Sequence, residues 1–185
     1  MEYLKKDINV LYVDDEIENL NAFKASFRKN YTVHIANSAK KGRDILNNNK
    51  IQIVITDQRM PETTGVEFLC SVKNDYPNAI RMLITAYTDI NTVIEAVNEC
   101  QVYKYLTKPW DIKELRSVID RAYEVYVLRE ENKQLISDLL NINDKLDLLL
   151  KQNDINMLLQ SKPDKLSQFK RGFDDMVDFI TKKNK

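Results

Sequence analysis

An α/β fold is predicted for this chain: a doubly wound, five-stranded parallel sheet, then a long helix or coiled coil, then a short C-terminal amphipathic helix. Three observations carry the prediction. Strand and helix signals alternate from Asn9 to about Tyr123, which argues for parallel βαβ units. The first, third and fourth strand segments are nearly continuous apolar runs, the pattern of strands buried on both faces. After Tyr123 strand signals stop and leucines recur every seven residues.

The strands are expected at about 8–13, 31–36, 51–56, 80–85 and 102–107. Apolar residues at helical spacing mark the helices between them. The first helix has Ile17, Leu20, Phe23 and Phe27, and the second only Ile45 and Leu46. The third has Val66, Phe68, Leu69 and Val72, the fourth Ile90, Val93, Ile94 and Val97, and the fifth Leu115, Val118, Ile119 and Ala122. Asn30, Asn47 to Asn49, Pro61, Gly65 and Pro77 punctuate the connections.

Beyond this head, expected to span 1–123, a helical coil is expected over 124–160. Leu128, Leu135, Ile142 and Leu149 take heptad position d, which places Val125, Asn132, Leu139 and Leu146 at position a. About four such heptads argue for a coiled coil, and an asparagine at an a position fixes register at some cost in stability. The bland alternative is one long helix packed back on its own domain. Past Ser161 and Pro163, residues 161–185 form an amphipathic helix with Leu166, Phe169, Phe173, Met176, Val177 and Ile180 on one face. Its lysines invite a membrane reading that Asp164, Asp174, Asp175 and Asp178 weaken.

The 185 residues suffice for one domain with an appendage. Lysine plus arginine equal aspartate plus glutamate, 28 against 28, so charge gives no case for nucleic acid as a partner. The N-terminal residues lack the apolar stretch of a secretory signal. No apolar run approaches the length of a membrane helix, and a soluble, cytoplasmic protein is expected. Cys70 and Cys100, within helical patterns and without metal-ligand spacing, are expected to be a reduced pair.

Asp14, Asp15, Asp57, Thr85 and Lys108 each lie at or just after the end of a predicted strand. In an open parallel sheet, ligands bind outside the carboxyl ends of the strands. Three carboxylates, a hydroxyl and an ammonium therefore converge on one edge, a set suited to a metal and a phosphoryl group. Mg²⁺ prefers hard oxygen ligands and keeps several waters beside one or two carboxylates. A carboxylate can act as the nucleophile toward phosphorus, and phosphoryl transfer otherwise needs positioning and charge neutralisation. Histidine-based nucleophilic catalysis is a poor competitor, because His34 is the chain's one histidine.

Four stretches carry a family resemblance: Leu-Tyr-Val-Asp-Asp-Glu (11–16), Ile-Thr-Asp-Gln-Arg-Met-Pro-Glu-Thr-Thr-Gly-Val-Glu-Phe-Leu (55–69), Leu-Ile-Thr-Ala-Tyr (83–87) and Lys-Tyr-Leu-Thr-Lys-Pro-Trp (104–110). Together they resemble the receiver domain of bacterial two-component response regulators, the CheY-like superfamily, over residues 8–120. The resemblance implies a flavodoxin-like receiver in which Asp57 accepts a phosphoryl group from a sensor histidine kinase or phosphotransfer protein. It implies Mg²⁺ held by Asp15, Asp57 and the backbone carbonyl of Arg59, with Asp14 ligating through water or shaping the site. It further implies that Lys108, followed by a cis peptide to Pro109, pairs with the phosphate. Thr85 and Tyr105 are implied as the switch pair.

The resulting expectation is a phospho-accepting switch, not an enzyme, that signals through protein–protein contacts and a homodimeric coil to a downstream protein. No nucleic acid or membrane contact is expected. After residue 124 there is no helix-turn-helix pattern, cyclase motif or His-Asp hydrolase pair. The alternatives are a phosphate sink or relay intermediate and an inert coiled-coil adaptor. A haloacid-dehalogenase-like phosphatase requires Asp-x-Asp after the first strand, whereas these acids are adjacent. Trp110 is expected to pack at a helix start with Asp111 as its N-cap.

Overall fold

The computed structural model describes residues 8–86, 99–151, 168, 170–176 and 179. Five strands, β1 (Asn9–Val13), β2 (Thr32–Ala36), β3 (Ile53–Asp57), β4 (Ile80–Thr85) and β5 (Lys104–Thr107), form one sheet in the order β2-β1-β3-β4-β5. Every pairing is parallel. Helices α1 (Ile17–Phe27), α2 (Ala39–Asn48), α3 (Gly65–Lys73) and α4 (Ile112–Lys151) complete the described elements. The expected helix around Ile90 to Val97 lies outside the described residues, as do Tyr87, Leu166, Phe169, Val177 and Ile180.

Two cores sandwich the sheet. One side gathers Val10, Tyr12, Phe23, Phe27, Ile55 and Ile119, and the other gathers Leu11, Val13, Val54, Phe68, Leu69 and Leu83. Alternate residues of β1 thus feed opposite faces, as a strand's two-residue period requires. All of β3 and β4 is buried, so their sequences had to be continuous apolar runs. Trp110 packs against Phe23 and Phe27, with ring centroids 6.0 and 5.9 Å away. Asp111 Oδ1 accepts from the backbone N–H groups of Lys113 and Glu114 at 2.9 Å, a helix N-cap that starts α4.

The cysteines depart from expectation. Cys70, in α3, and Cys100 are joined in a disulfide with Cα atoms 4.6 Å apart. Each residue alone reads as one position on a helix. Their meeting depends on α3 packing beside the approach to β5, which local patterning does not encode.

The chain divides into two compact units, Met1–Val127 and Leu128–Lys185. In the second, Leu128, Leu135 and Ile142 are 58%, 60% and 54% exposed, while Leu139 and Leu146 are half-buried. Among the described residues no helix is long and apolar enough to cross a membrane.

Candidate functional site at the carboxyl edge of the sheet

Register brings the predicted residues to one edge. Val13 pairs with Thr56, Asp57 with Ile84, and Thr85 with Thr107. Asp14 and Lys108 therefore follow their strands at the same level as Asp57 and Thr85. Backbone bonds lock the loops in place: Asp14 N–H donates to Ala36 O at 3.1 Å, and Lys108 N–H to Thr85 O at 2.9 Å. The Lys108–Pro109 peptide is cis.

Lys108 bridges the two buried carboxylates. Its Nζ lies 2.5 Å from Asp57 Oδ1 and 3.0 Å from Asp14 Oδ2. Burial lowers the affinity of Lys108 for its proton, but the two carboxylates outweigh burial and raise its pKa. The two acids differ in environment. Asp14 accepts from Tyr12 Oη at 2.6 Å, from Glu16 N–H at 3.0 Å and from Asn19 Nδ2 at 3.1 and 3.2 Å. Burial alone raises the Asp14 pKa, yet Tyr12, Lys108, Glu16 and Asn19 together hold it below the usual carboxylate range. Asp57 receives less help: Lys108 and the Arg59 N–H at 2.8 Å. Burial prevails there and its pKa is raised. Hydrogen-bond donors thus saturate Asp14, whereas Asp57 retains acceptor capacity.

The other expected residues are placed as follows. Asp15 is exposed at the rim. Thr85 is buried, and its hydroxyl donates to Ala86 O at 3.2 Å. Tyr105 is 42% exposed. The Asp14 and Asp57 carboxylates are hard oxygen donors of the kind a hard cation prefers. Among the described residues no three His, Cys, Asp or Glu side chains form a ready-made metal cage.

Tyr12 and Asn19 were missed by sequence reasoning. The signal for Tyr12 was available, because it lies on β1 two residues before Asp14, which directly follows that strand. Burial and the Asp14 carboxylate raise the pKa of the Tyr12 hydroxyl far above the ordinary phenol range, which keeps it a donor. Removing this bond by Tyr12→Phe is expected to lower stability by about 1.5–3 kcal/mol, the range for hydrogen bonds to charged groups. A urea melt checks this, and an unchanged midpoint refutes it.

The model of the response regulator receiver domain family matches residues 10–120. The hydrogenase transcriptional regulatory protein HoxA of Cupriavidus necator is 35% identical over 130 residues, covering 70% of this chain and 27% of its own length. The chain spans about a quarter of the length of the curated relatives it matches. A response regulator receiver domain protein from Clostridium thermocellum is 30% identical, with a TM-score of 0.62 over 65% of this chain and 98% of that one. The signal receiver domain of an HD domain-containing protein from Pseudomonas fluorescens is 29% identical, with a TM-score of 0.62 over 64% of this chain and 96% of that one.

Proposed function

The chain belongs to the response regulator receiver domain family, and from that membership we propose that it is a phospho-accepting switch with Asp57 as the acceptor. The observation that carries this reading is the asymmetry of the two buried acids. Asp14 is saturated by donors, while Asp57 meets Lys108 and one N–H. A carboxylate oxygen of Asp57 attacks the phosphorus of a phosphohistidine on a partner kinase or phosphotransfer protein. The new P–O bond forms as the P–N bond breaks, and the imidazole leaves with its electron pair and takes up a proton.

Mg²⁺, when bound, neutralises charge on the phosphoryl oxygens. Asp15, Asp57 and the Arg59 carbonyl would hold it, with Asp14 shaping the site. Lys108 supplies the second positive charge and moves from carboxylate to phosphate. Thr85 exchanges its Ala86 carbonyl for a phosphate oxygen, and Tyr105, now exposed, packs inward behind it. This is a population shift between two arrangements.

The output is self-association through residues 124–160. Support comes from Leu128, Leu135 and Ile142, which repeat every seven residues and are exposed, as a seam awaiting a second helix requires.

The test treats the full chain with acetyl phosphate and Mg²⁺, then reads intact mass and molar mass in solution. The expected result is a gain of one phosphoryl group, dependent on Mg²⁺, with an altered monomer–dimer balance. Failure to gain it at any Mg²⁺ concentration would leave the inert adaptor as the better reading.

A further inference from the structure

The chain has two cysteines, and they meet although 30 residues apart in sequence. Their Cα separation of 4.6 Å lies inside the span a disulfide bridges, about 4.4–6.8 Å. We propose that Cys70 and Cys100 form a reversible thiol–disulfide exchange site that takes low-molecular-weight disulfides and thiols. Its oxidation state sets how firmly residues 99–101 are tied to α3.

What surrounds the bridge is compatible with its opening. Residues 99–101 are fastened by bonds that do not involve sulfur. Lys73 Nζ donates to Glu99 O at 2.9 Å, Arg81 Nε to Cys100 O at 3.0 Å, and Arg81 Nη2 to Gln101 Oε1 at 3.3 Å. Arg81 is itself buried and donates through Nη1 to Ala79 O at 3.1 Å. Opening the bridge therefore leaves Cys100 seated beside Cys70. The reduced state is also accommodated, because Cys100 Sγ lies 3.6 Å from Val66 O, an acceptor for a thiol proton.

The two sulfurs are not equivalent. Cys100 is fully buried, while Cys70 is half-exposed on α3. Access is one of the factors that direct exchange. An incoming thiolate attacks Cys70 Sγ, a mixed disulfide forms there, and Cys100 leaves as a thiolate that takes up a proton. A second thiolate then attacks the mixed disulfide, freeing Cys70 and releasing the small disulfide. Oxidation is the reverse: one small disulfide is reduced to two thiols as the two cysteine thiols are oxidised to the bridge.

The site has leverage because Cys100 precedes β5, which carries Tyr105 and leads to Lys108. This coupling, unlike the exchange itself, rests on the switch reading above. The closed bridge adds a covalent tether to the hydrogen bonds that seat residues 99–101, and opening it leaves only those bonds to be displaced when the approach to β5 follows Thr85.

The experiment equilibrates the full chain, without denaturant, in glutathione buffers from fully reduced to fully oxidised. Free thiols are trapped with N-ethylmaleimide and intact mass is read. Expected are two alkyl groups at the reduced end and none at the oxidised end, with the same midpoint from both directions. Cys100→Ser should carry one glutathione on Cys70, and Cys70→Ser little on Cys100. Two free thiols at every ratio overturn the site, and so does a bridge that opens only after urea is added. Equal adducts on the two variants overturn the proposed order of attack. In a parallel arm, acetyl phosphate labelling is expected to be about fivefold faster in the reduced form, a typical coupling size. Equal labelling overturns the coupling. Absence of labelling in both forms counts against the switch reading and leaves the exchange result standing.

Discussion

Asp57→Asn is expected to reduce phosphoryl incorporation from acetyl phosphate to background while the protein stays folded. The amide is nearly isosteric with the carboxylate, so the fit within the buried end of β3 is kept. What is lost is the oxygen nucleophile, which the other buried carboxylate does not replace, since Asp14 is occupied by Tyr12, Glu16, Asn19 and Lys108. Stability is expected to hold or rise. Burial raises the pKa of Asp57 despite Lys108 and the Arg59 N–H, so the folded state disfavours the ionised form and gains when that charge is removed. Lys108→Ala has the opposite signature. It leaves two buried carboxylates without the cation between them, and removing one partner of a buried ion pair destabilises strongly. Intact-mass labelling and thermal melts on both variants separate the cases. Residual labelling of Asp57→Asn at a wild-type rate would move the acceptor elsewhere.

Much of the fold is written locally, for identifiable reasons. β1, β3 and β4 are legible because burial on both faces forces continuous apolar runs. β5 is harder: only Leu106 of its four residues is buried, and the strand begins two residues later than the apolar pattern implies. β3 runs through Asp57, because that residue still pairs with Ile84. Compositional change near Tyr123 marks no break in the backbone. Between Ile112 and Lys151 there is neither glycine nor proline, and α4 is continuous.

At the site, the rule that functional groups follow strand ends brings Asp14, Asp57 and Lys108 into contact. It does not say how the acids differ. That difference comes from Tyr12 and Asn19, whose donors reach Asp14 and not Asp57. The cysteine pair is illegible for a related reason. Its two members belong to segments whose contact is a property of sheet order.

Gly65→Ala is the most damaging single methyl group foreseen outside the charged cluster. Gly65 opens α3 and has no positive φ, so its role is not conformational freedom. The missing Cβ is what matters. A methyl group there would overlap the carbonyl oxygen of Asp57, approach its carbonyl carbon to 2.9 Å and meet Leu83 Cδ1 at 2.8 Å. Two of these atoms are backbone of Asp57, the proposed acceptor, and cannot rotate away. Gly65 N–H also donates to Gln58 O at 3.0 Å, while the Thr64–Glu67 capping box fixes the direction of α3. Alanine in place of glycine ordinarily favours a helix by about 0.5–1 kcal/mol. Overpacking costs about 1–3 kcal/mol or more, and contact with fixed backbone belongs at the upper end, so destabilisation wins. Gly172→Ala is the control, because a Cβ there meets nothing within 4 Å. The urea midpoint is expected to fall for Gly65→Ala and to hold or rise for Gly172→Ala. Labelling of Asp57 is expected to slow in Gly65→Ala even where the protein remains folded, because the clash pushes on the backbone that aims the carboxylate. An unchanged midpoint and labelling rate would mean that α3 can withdraw from β3 at little cost, and that the acceptor is not positioned by their contact.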